Sequence, residues 1–333
     1  MSIRIIKQGI FDTIQDDGRY GYQHLGINPG GAMDVVAASV ANMLVGNRIN
    51  EAVIELHFPA ATFFFEKPCL IALSGADFSA TIHNGIIPLN SAVIIADSTE
   101  LSFKQYKKGA RCYLAVQGGW DAANWLDSYS TNTKVHAGGF HGRALRKDDI
   151  LHCHAEQFMF ASLPSQSYII TKIKADTDLF YSSSNIIHCA KGMQHAWLDD
   201  RSKNLLESAD FTISTQSDRM GYRLKGEQLQ ASEQKQLLSS AVVKGAIQLL
   251  PDGQLILLMA DHQTTGGYPV VANVVSADIP VLAQMQPGAA IQFKFISIEE
   301  AETLYMQQQQ SLMQLQDTCN LQLKNFFSSD DFN

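Results

Sequence analysis

The chain has 333 residues, 46% of them hydrophobic and 17% charged, with a net charge of −8 from 25 Lys+Arg against 33 Asp+Glu. That apolar fraction excludes intrinsic disorder, and the length points to two domains. No run of Lys or Arg exceeds two residues (Lys107-Lys108) and no apolar run approaches the roughly 20 residues of a membrane span, so neither nucleic acid nor membrane is expected as a partner.

In chain order, Met1–Thr13 lacks the basic-then-apolar layout of a signal peptide, and a cytoplasmic location is expected. Met33–Val45 predicts a helix, with Met33, Ala37, Val40, Ala41 and Leu44 on one stripe and a stop at Gly46. Short runs rich in β-branched and aromatic residues follow: Val53–Leu56, Thr62–Phe65, Leu70–Leu73, Ala92–Ala96, Leu101–Tyr106 and Cys112–Val116. A linker is placed within Ala155–Gln166. The second half repeats the pattern at Tyr168–Lys172, Phe211–Ser214, Ala241–Val243, Ile247–Leu250, Leu255–Met259, Val270–Val275 and Ile291–Ile296. Ser297-Ile298-Glu299-Glu300 has the form of a capping box opening a second helix. Closely spaced strands with few helices predict a mainly β protein of barrels or sandwiches. Neither a GxGxxG nor a P-loop is present.

The two halves echo each other. Gln15–Tyr22 resembles Gln216–Tyr222, and Leu70–Asp77 resembles Leu255–Asp261, each apolar strand delivering Ala-Asp at its end. A duplication follows, with equivalent strand-end loops expected to face one cleft. The domains are drawn at residues 1–160 and 161–310, and a loose Gln-rich tail is drawn at residues 311–333.

The chemistry-bearing residues lie in a few loops. Asp261-His262-Gln263-Thr264-Thr265-Gly266-Gly267-Tyr268-Pro269 follows an apolar strand and concentrates an acid, an imidazole, an amide and two hydroxyls. Such groups at a strand end must bind one another or a ligand. His262 is a candidate base near neutral pH, with Asp261 orienting it or acting itself. Ser217-Asp218-Arg219 offers a forked cation that either grips a carboxylate or forms a structural ion pair. The doublets Gly30-Gly31, Gly118-Gly119, Gly138-Gly139 and Gly266-Gly267 are either tight turns or backbone cradles for an anion or carbonyl oxygen. Five dispersed cysteines without a CxxC predict buried free thiols, and His152-Cys153-His154 lacks a third ligand, so no metal is assigned.

Several of these segments, taken together, resemble a known family. Gly21–Gly26 with Gly31–Asp34, Leu73–Asp77, Tyr113–Gly119, Ser217–Leu224 and Ala260–Pro269 are similar to the KipA family, also called allophanate hydrolase subunit 2, biotin-dependent carboxyltransferase or the C subunit of 5-oxoprolinase. The likeness runs from about Ile5 to Ala301 and is weakest over Trp125–Val135. It implies two pseudo-duplicated, cyclophilin-like β-barrel domains with a few short helices. It also implies partner chains, the KipI-like B subunit of 5-oxoprolinase together with its A subunit. The implied reaction is ATP-dependent opening of 5-oxo-L-proline, a small cyclic amide, to L-glutamate, with ATP shared with or bound by the partners. A biotin-dependent carboxyltransferase half and an antagonist of a KipI kinase inhibitor are the alternatives. Family segments filtered by chemistry give Asp77, Asp261 and His262 as catalytic candidates. The substrate-binding candidates are Gln23, Gly30 and Gly31; Gln117, Gly118 and Gly119; Ser217, Asp218 and Arg219; and Gln263, Thr264, Thr265, Gly266, Gly267 and Tyr268.

Overall fold

The structure, a computed structural model, describes residues 1–154, 167–181, 184–232 and 237–328. The linker placed at 155–166 lies outside the described residues. The chain divides into two compact units; a break falls at Gln310/Ser311, as drawn, whereas the boundary drawn at 160 falls within a segment of the first unit. The first unit is Met1–Arg19, Asp34–Leu179 and Ser311–Asn333; the second is Tyr20–Met33 and Phe180–Gln310.

The first unit is built of two antiparallel sheets. One runs in the order Trp120–Asp121, Ile150–Cys153, Ser2–Lys7, Thr62–Phe65, Thr99–Phe103, Ala80–Ile82, Gly85–Ile86; the other in the order Tyr168–Lys174, Ser91–Ile95, Cys69–Asp77, Lys108–Val116, Val53–Leu56, Thr13–Gln15. Alternation along each strand turns one face inward, so Ile3, Ile5, Phe63 and Phe65 of the first sheet meet Ile54, Leu56, Ile71 and Leu114 of the second in one buried core. Helix α1, Val35–Leu44, packs on the six-stranded sheet. Asp34 caps it by accepting the Ala37 amide at 3.0 Å, and the helix gives way at Gly46, whose φ of +75° suits glycine.

The second unit is a closed barrel. Its strands run Ile186–Lys191, Val270–Val274, Ala246–Leu249, Leu255–Leu258, Gly221–Lys225, Phe211–Ile213, Ala290–Phe295 and back to the first. The closing pair is parallel and the others antiparallel. Ile187, Ile247, Leu257, Val271, Ile291 and Phe293 fill the interior. Helix α2, Asp200–Ser208, is capped by Asp199, and α3, Ile279–Ala283, carries Pro280 in its first turn.

Helix α4, Ile298–Ser328, is 31 residues long and opens with the predicted capping box: Ser297 N donates to Glu300 Oε2 (2.8 Å) and Glu300 N to Ser297 Oγ (3.1 Å). The segment expected to be a loose tail is therefore helical to Ser328. Glutamine is a good helix former, and the turns carry Leu312, Cys319 and Leu323, all buried. Lys174 N donates to Gln322 Oε1 at 3.0 Å, tying the helix to the first unit. All five cysteines are buried, and none forms a disulfide.

Asp12 tests this packing. Its carboxylate accepts the amides of His57 (2.9 Å) and Ala61 (2.7 Å). Burial outweighs these bonds and, with the charge of Glu55, raises its pKa from 3.8 to about 7. Between those values the folded chain holds a proton that the unfolded chain has released, so stability falls as pH rises through that window. Asp12→Asn, which forfeits one amide acceptor, is expected to lower stability overall and to flatten this slope. Urea midpoints at the two ends of the window check it, and an unchanged slope would remove Asp12 as its source.

Candidate functional site

The second unit gathers most of the candidate residues. Asp218 Oδ1 accepts the amides of Met220 (2.8 Å) and Gly221 (3.2 Å), forming a turn that starts the strand Gly221–Lys225. The turn sends Arg219 inward, where it is 6% exposed. Its Nε donates to Asp261 Oδ2 at 2.8 Å and its Nη2 to Asp261 Oδ1 at 3.1 Å, a bidentate pair. Nη2 also donates to the Gly31 carbonyl at 2.7 Å. The backbone adds a further tie, from Asp261 N to Arg219 O at 2.8 Å. The forked cation thus holds an acid of its own chain.

Next to this pair, His262 is 2% exposed, with Nδ1 at 2.6 Å from the Gln263 carbonyl. A carbonyl only accepts, so Nδ1 carries a proton. Gln263 Nε2 reaches Gln248 Oε1 at 3.5 Å, and Gln248 Nε2 donates to the Tyr268 carbonyl at 3.3 Å. Gln248 is fully buried, and a Cβ at Gly266 would fall 2.5 Å from its Nε2. A side chain there would push the Gln248 carboxamide from its place, and the short strand Thr265–Gly266 pairs with Ser240–Ala241. Thr264 is half-buried; Thr265, Gly267 and Tyr268 are exposed.

The glycine doublets act differently from anion cradles. Gly30 and Gly31 both have positive φ, +66° and +89°. What the segment presents to the barrel is carbonyls: Gly31 O meets Arg219, while Ala32 O and Met33 O accept from Lys244 Nζ at 3.2 and 3.0 Å. In the first unit, Gly118 N donates to Asn47 Oδ1 (2.8 Å) and Gly119 N to Val116 O (3.1 Å), so both amides serve the turn. Gln117 Oε1 is buried there without a hydrogen-bond partner.

Arg219, Gly31, Asp261, His262 and Gln263 are thereby brought together, with Gly266 and Tyr268 joined through Gln248. Ser217 and Asp218 shape the turn, Ser217 Oγ accepting Arg223 N at 3.1 Å. Gln23 sits half-buried in the short 3-10 turn Gln23–Leu25. Asp77 belongs to the first unit, where it accepts Ser79 N at 2.8 Å and faces Lys107 Nζ at 3.5 Å on the surface.

Sequence reasoning passed over Lys244 and Gln248. It also passed over a polar row in the first unit. Strand register places Thr13, Glu55, Tyr113 and Ser74 side by side across four strands. All four are at most 1% exposed. Tyr113 donates to Glu55 Oε2 at 2.8 Å and accepts the Asp34 amide at 2.8 Å, fixing the start of α1. Burial and the Glu55 charge push the Tyr113 phenol well above its ordinary pKa, so it acts as a neutral donor. The available signal was Glu55 itself, a charge inside the apolar run Val53–Leu56.

No group of three or more His, Cys, Asp or Glu among the described residues is placed to hold a metal ion. No described helix is long and apolar enough to cross a membrane.

Residues 25–295 match the family model described as carboxyltransferase domain, subdomain A and B. The chain is 34% identical to the 5-oxoprolinase C subunit of Escherichia coli over 94% of this chain and 97% of that one. It is 33% identical to the 5-oxoprolinase C subunit of Haemophilus influenzae over 88% and 90%. The crystal structure of the K. lactis urea amidolyase superposes with a TM-score of 0.85 at 25% identity, covering 93% of this chain and 20% of that one. The mainly β architecture, the turn that buries Arg219 and the full-length likeness converge: the chain belongs to the carboxyltransferase domain, subdomain A and B, family.

Proposed function

We propose that this protein is the C subunit of a multi-subunit 5-oxoprolinase, opening 5-oxo-L-proline to L-glutamate together with A and B subunits at the expense of ATP. The observation that carries this reading is the likeness to the 5-oxoprolinase C subunit of Escherichia coli across 97% of that protein's length. The Asp261–His262 site supplies suitable chemistry. Opening a lactam requires water to be aimed at the carbonyl carbon and the charge gathering on its oxygen to be held. Asp261, oriented by Arg219, positions the water, and His262 takes or returns its proton. Gln263, Thr264 and Thr265 donate toward the amide oxygen. Arg219 acts through Asp261 as a positioning residue.

The helix N-termini among the described residues do not suit the triphosphate of ATP. Every described α-helix begins at an acid: Asp34 for α1, Asp199 and Asp200 for α2, Asp278 for α3, Glu299 and Glu300 for α4. Negative charge at a helix N-terminus repels phosphate where bare amides would attract it. The amides of Gly118 and Gly119 are committed to their own turn. Phosphate handling accordingly falls to the partner chains.

A second reading is a carboxyltransferase half acting on a small amide, with biotin delivered by another protein; the urea amidolyase superposition favours it.

Coexpression with the A and B subunits should yield ATP-dependent glutamate release from 5-oxo-L-proline, and omission of this chain should abolish it. The complete set giving no glutamate would sink the proposal, and carboxyl transfer from carboxybiotin to an amide would install the second reading. Within the active complex, Asp261→Asn should lower kcat by roughly 10²-fold or more with the circular dichroism spectrum unchanged. Turnover at the wild-type level would remove Asp261 from the mechanism.

A further inference from the structure

The second unit also contains a cavity of about 840 Å³. That volume is within the range of sites for small organic ligands. Trp197 and Tyr268 contribute aromatic rings to its lining, Leu249 and Leu229 an apolar floor, and Gln228 and Gln230 carboxamides. Leu249 and Leu229 are 7% and 1% exposed, while Tyr268 is 44% exposed, so the cavity is apolar at depth and aromatic at its mouth.

Its walls are tied down. Leu229 N donates to Gly253 O at 3.0 Å, Gln230 N to Ser202 Oγ at 2.8 Å, and Ser232 N to Trp197 O at 2.7 Å. On the opposite side Leu249 N donates to Pro269 O at 2.9 Å. These backbone groups are spent on the fold, and recognition is left to side chains. Among the described residues lining the cavity, Asp252 is the one charged group. An anion would meet the Asp252 carboxylate there, which disfavours a phosphate or the carboxylate of 5-oxoproline. An uncharged flat ring suits the space. Aromatic side chains stack on any base, and a glutamine carboxamide, with donor and acceptor side by side, matches the N6/N7 edge of adenine.

We propose that this cavity is a binding site for a purine base, of the adenine type, stacked between Trp197 and Tyr268 and read by Gln228 and Gln230, with any attached phosphates outside it. The site deepens the proposed function: this chain would hold the base of the nucleotide whose phosphates its partners handle. The base site itself does not depend on that reading, because its test is direct binding and the glutamate assay is separate.

Isothermal titration of the full chain uses adenosine, ADP and uridine as probes. Adenosine should bind, ADP should bind within about threefold of it, and uridine should bind more weakly. Trp197→Ala and Tyr268→Ala should each weaken adenosine roughly tenfold, the loss of about 1.4 kcal/mol of stacking, and Trp197→Phe should restore most of it. Gln228→Leu combined with Gln230→Leu should erase the preference for adenosine over uridine. Thermal melts establish that the variants fold. No adenosine binding by the wild type, binding of ADP alone, or affinities untouched by folded Trp197→Ala and Tyr268→Ala proteins would each overturn the proposal.

Discussion

A guanidinium at 6% exposure must be met on several sides, because burying an unpaired charge costs several kcal/mol. Arg219 solves this with two bonds to Asp261 and one to the Gly31 carbonyl. The solution constrains the residues around it. Asp261 is held in one orientation by the fork and by its own amide on Arg219 O. Gly31 is drawn against the barrel, and Lys244 extends the grip to Ala32 and Met33. Three successive carbonyls of a segment far away in sequence thus meet two cations of the second unit. This accounts for Tyr20–Met33 belonging to that unit although strands of the first unit flank it in the chain. Breaking such a pair by removing one partner costs about 3–5 kcal/mol, chiefly because the other charge is stranded.

The sequence echo between the halves has a physical counterpart and a divergence. After each echoed Gln a carboxylate caps its own turn, Asp16 accepting Gly18 N at 2.8 Å and Asp218 accepting Met220 N at 2.8 Å, and each turn carries a buried arginine, Arg19 and Arg219. The partners then differ. Asp16 is wrapped by Ser128 Oγ (2.7 Å), Tyr129 N (2.6 Å) and Ser130 Oγ, while Arg19 donates to Ser130 O and lies 4.7 Å from the Trp125 ring centre. Those residues come from the stretch Trp125–Val135. In the first unit the device fastens a loop of backbone and hydroxyls. In the second it fixes a carboxylate beside a histidine. The same local device thus holds different partners in the two units.

Local pattern made the strands, the capping box and the Asp261–Tyr268 cluster legible, because apolar alternation and polar groups at a strand end are written in consecutive residues. The helix at Met33–Val45 was legible too, with the observed α1 at Val35–Leu44 set back by the Asp34 cap. Three features were not. Lys244 and Gln248 lie on a hairpin of ordinary composition, and their importance comes from carbonyls and amides that only folding brings near. The C-terminal helix was masked by its glutamines, which read as low complexity, while the buried Leu312, Cys319 and Leu323 are too sparse to mark a helical period. The exchange of segments between units is a property of long-range contacts, which no local period encodes.

The arrangement of charge bears on how such a site works. Its cations, Arg219 and Lys244, are bonded to Asp261 and to backbone carbonyls. A carboxylate entering here would have to compete with Asp261 for Arg219. Because that arginine is committed to an acid of its own chain, on the proposed reading a cation for the substrate would come from another chain.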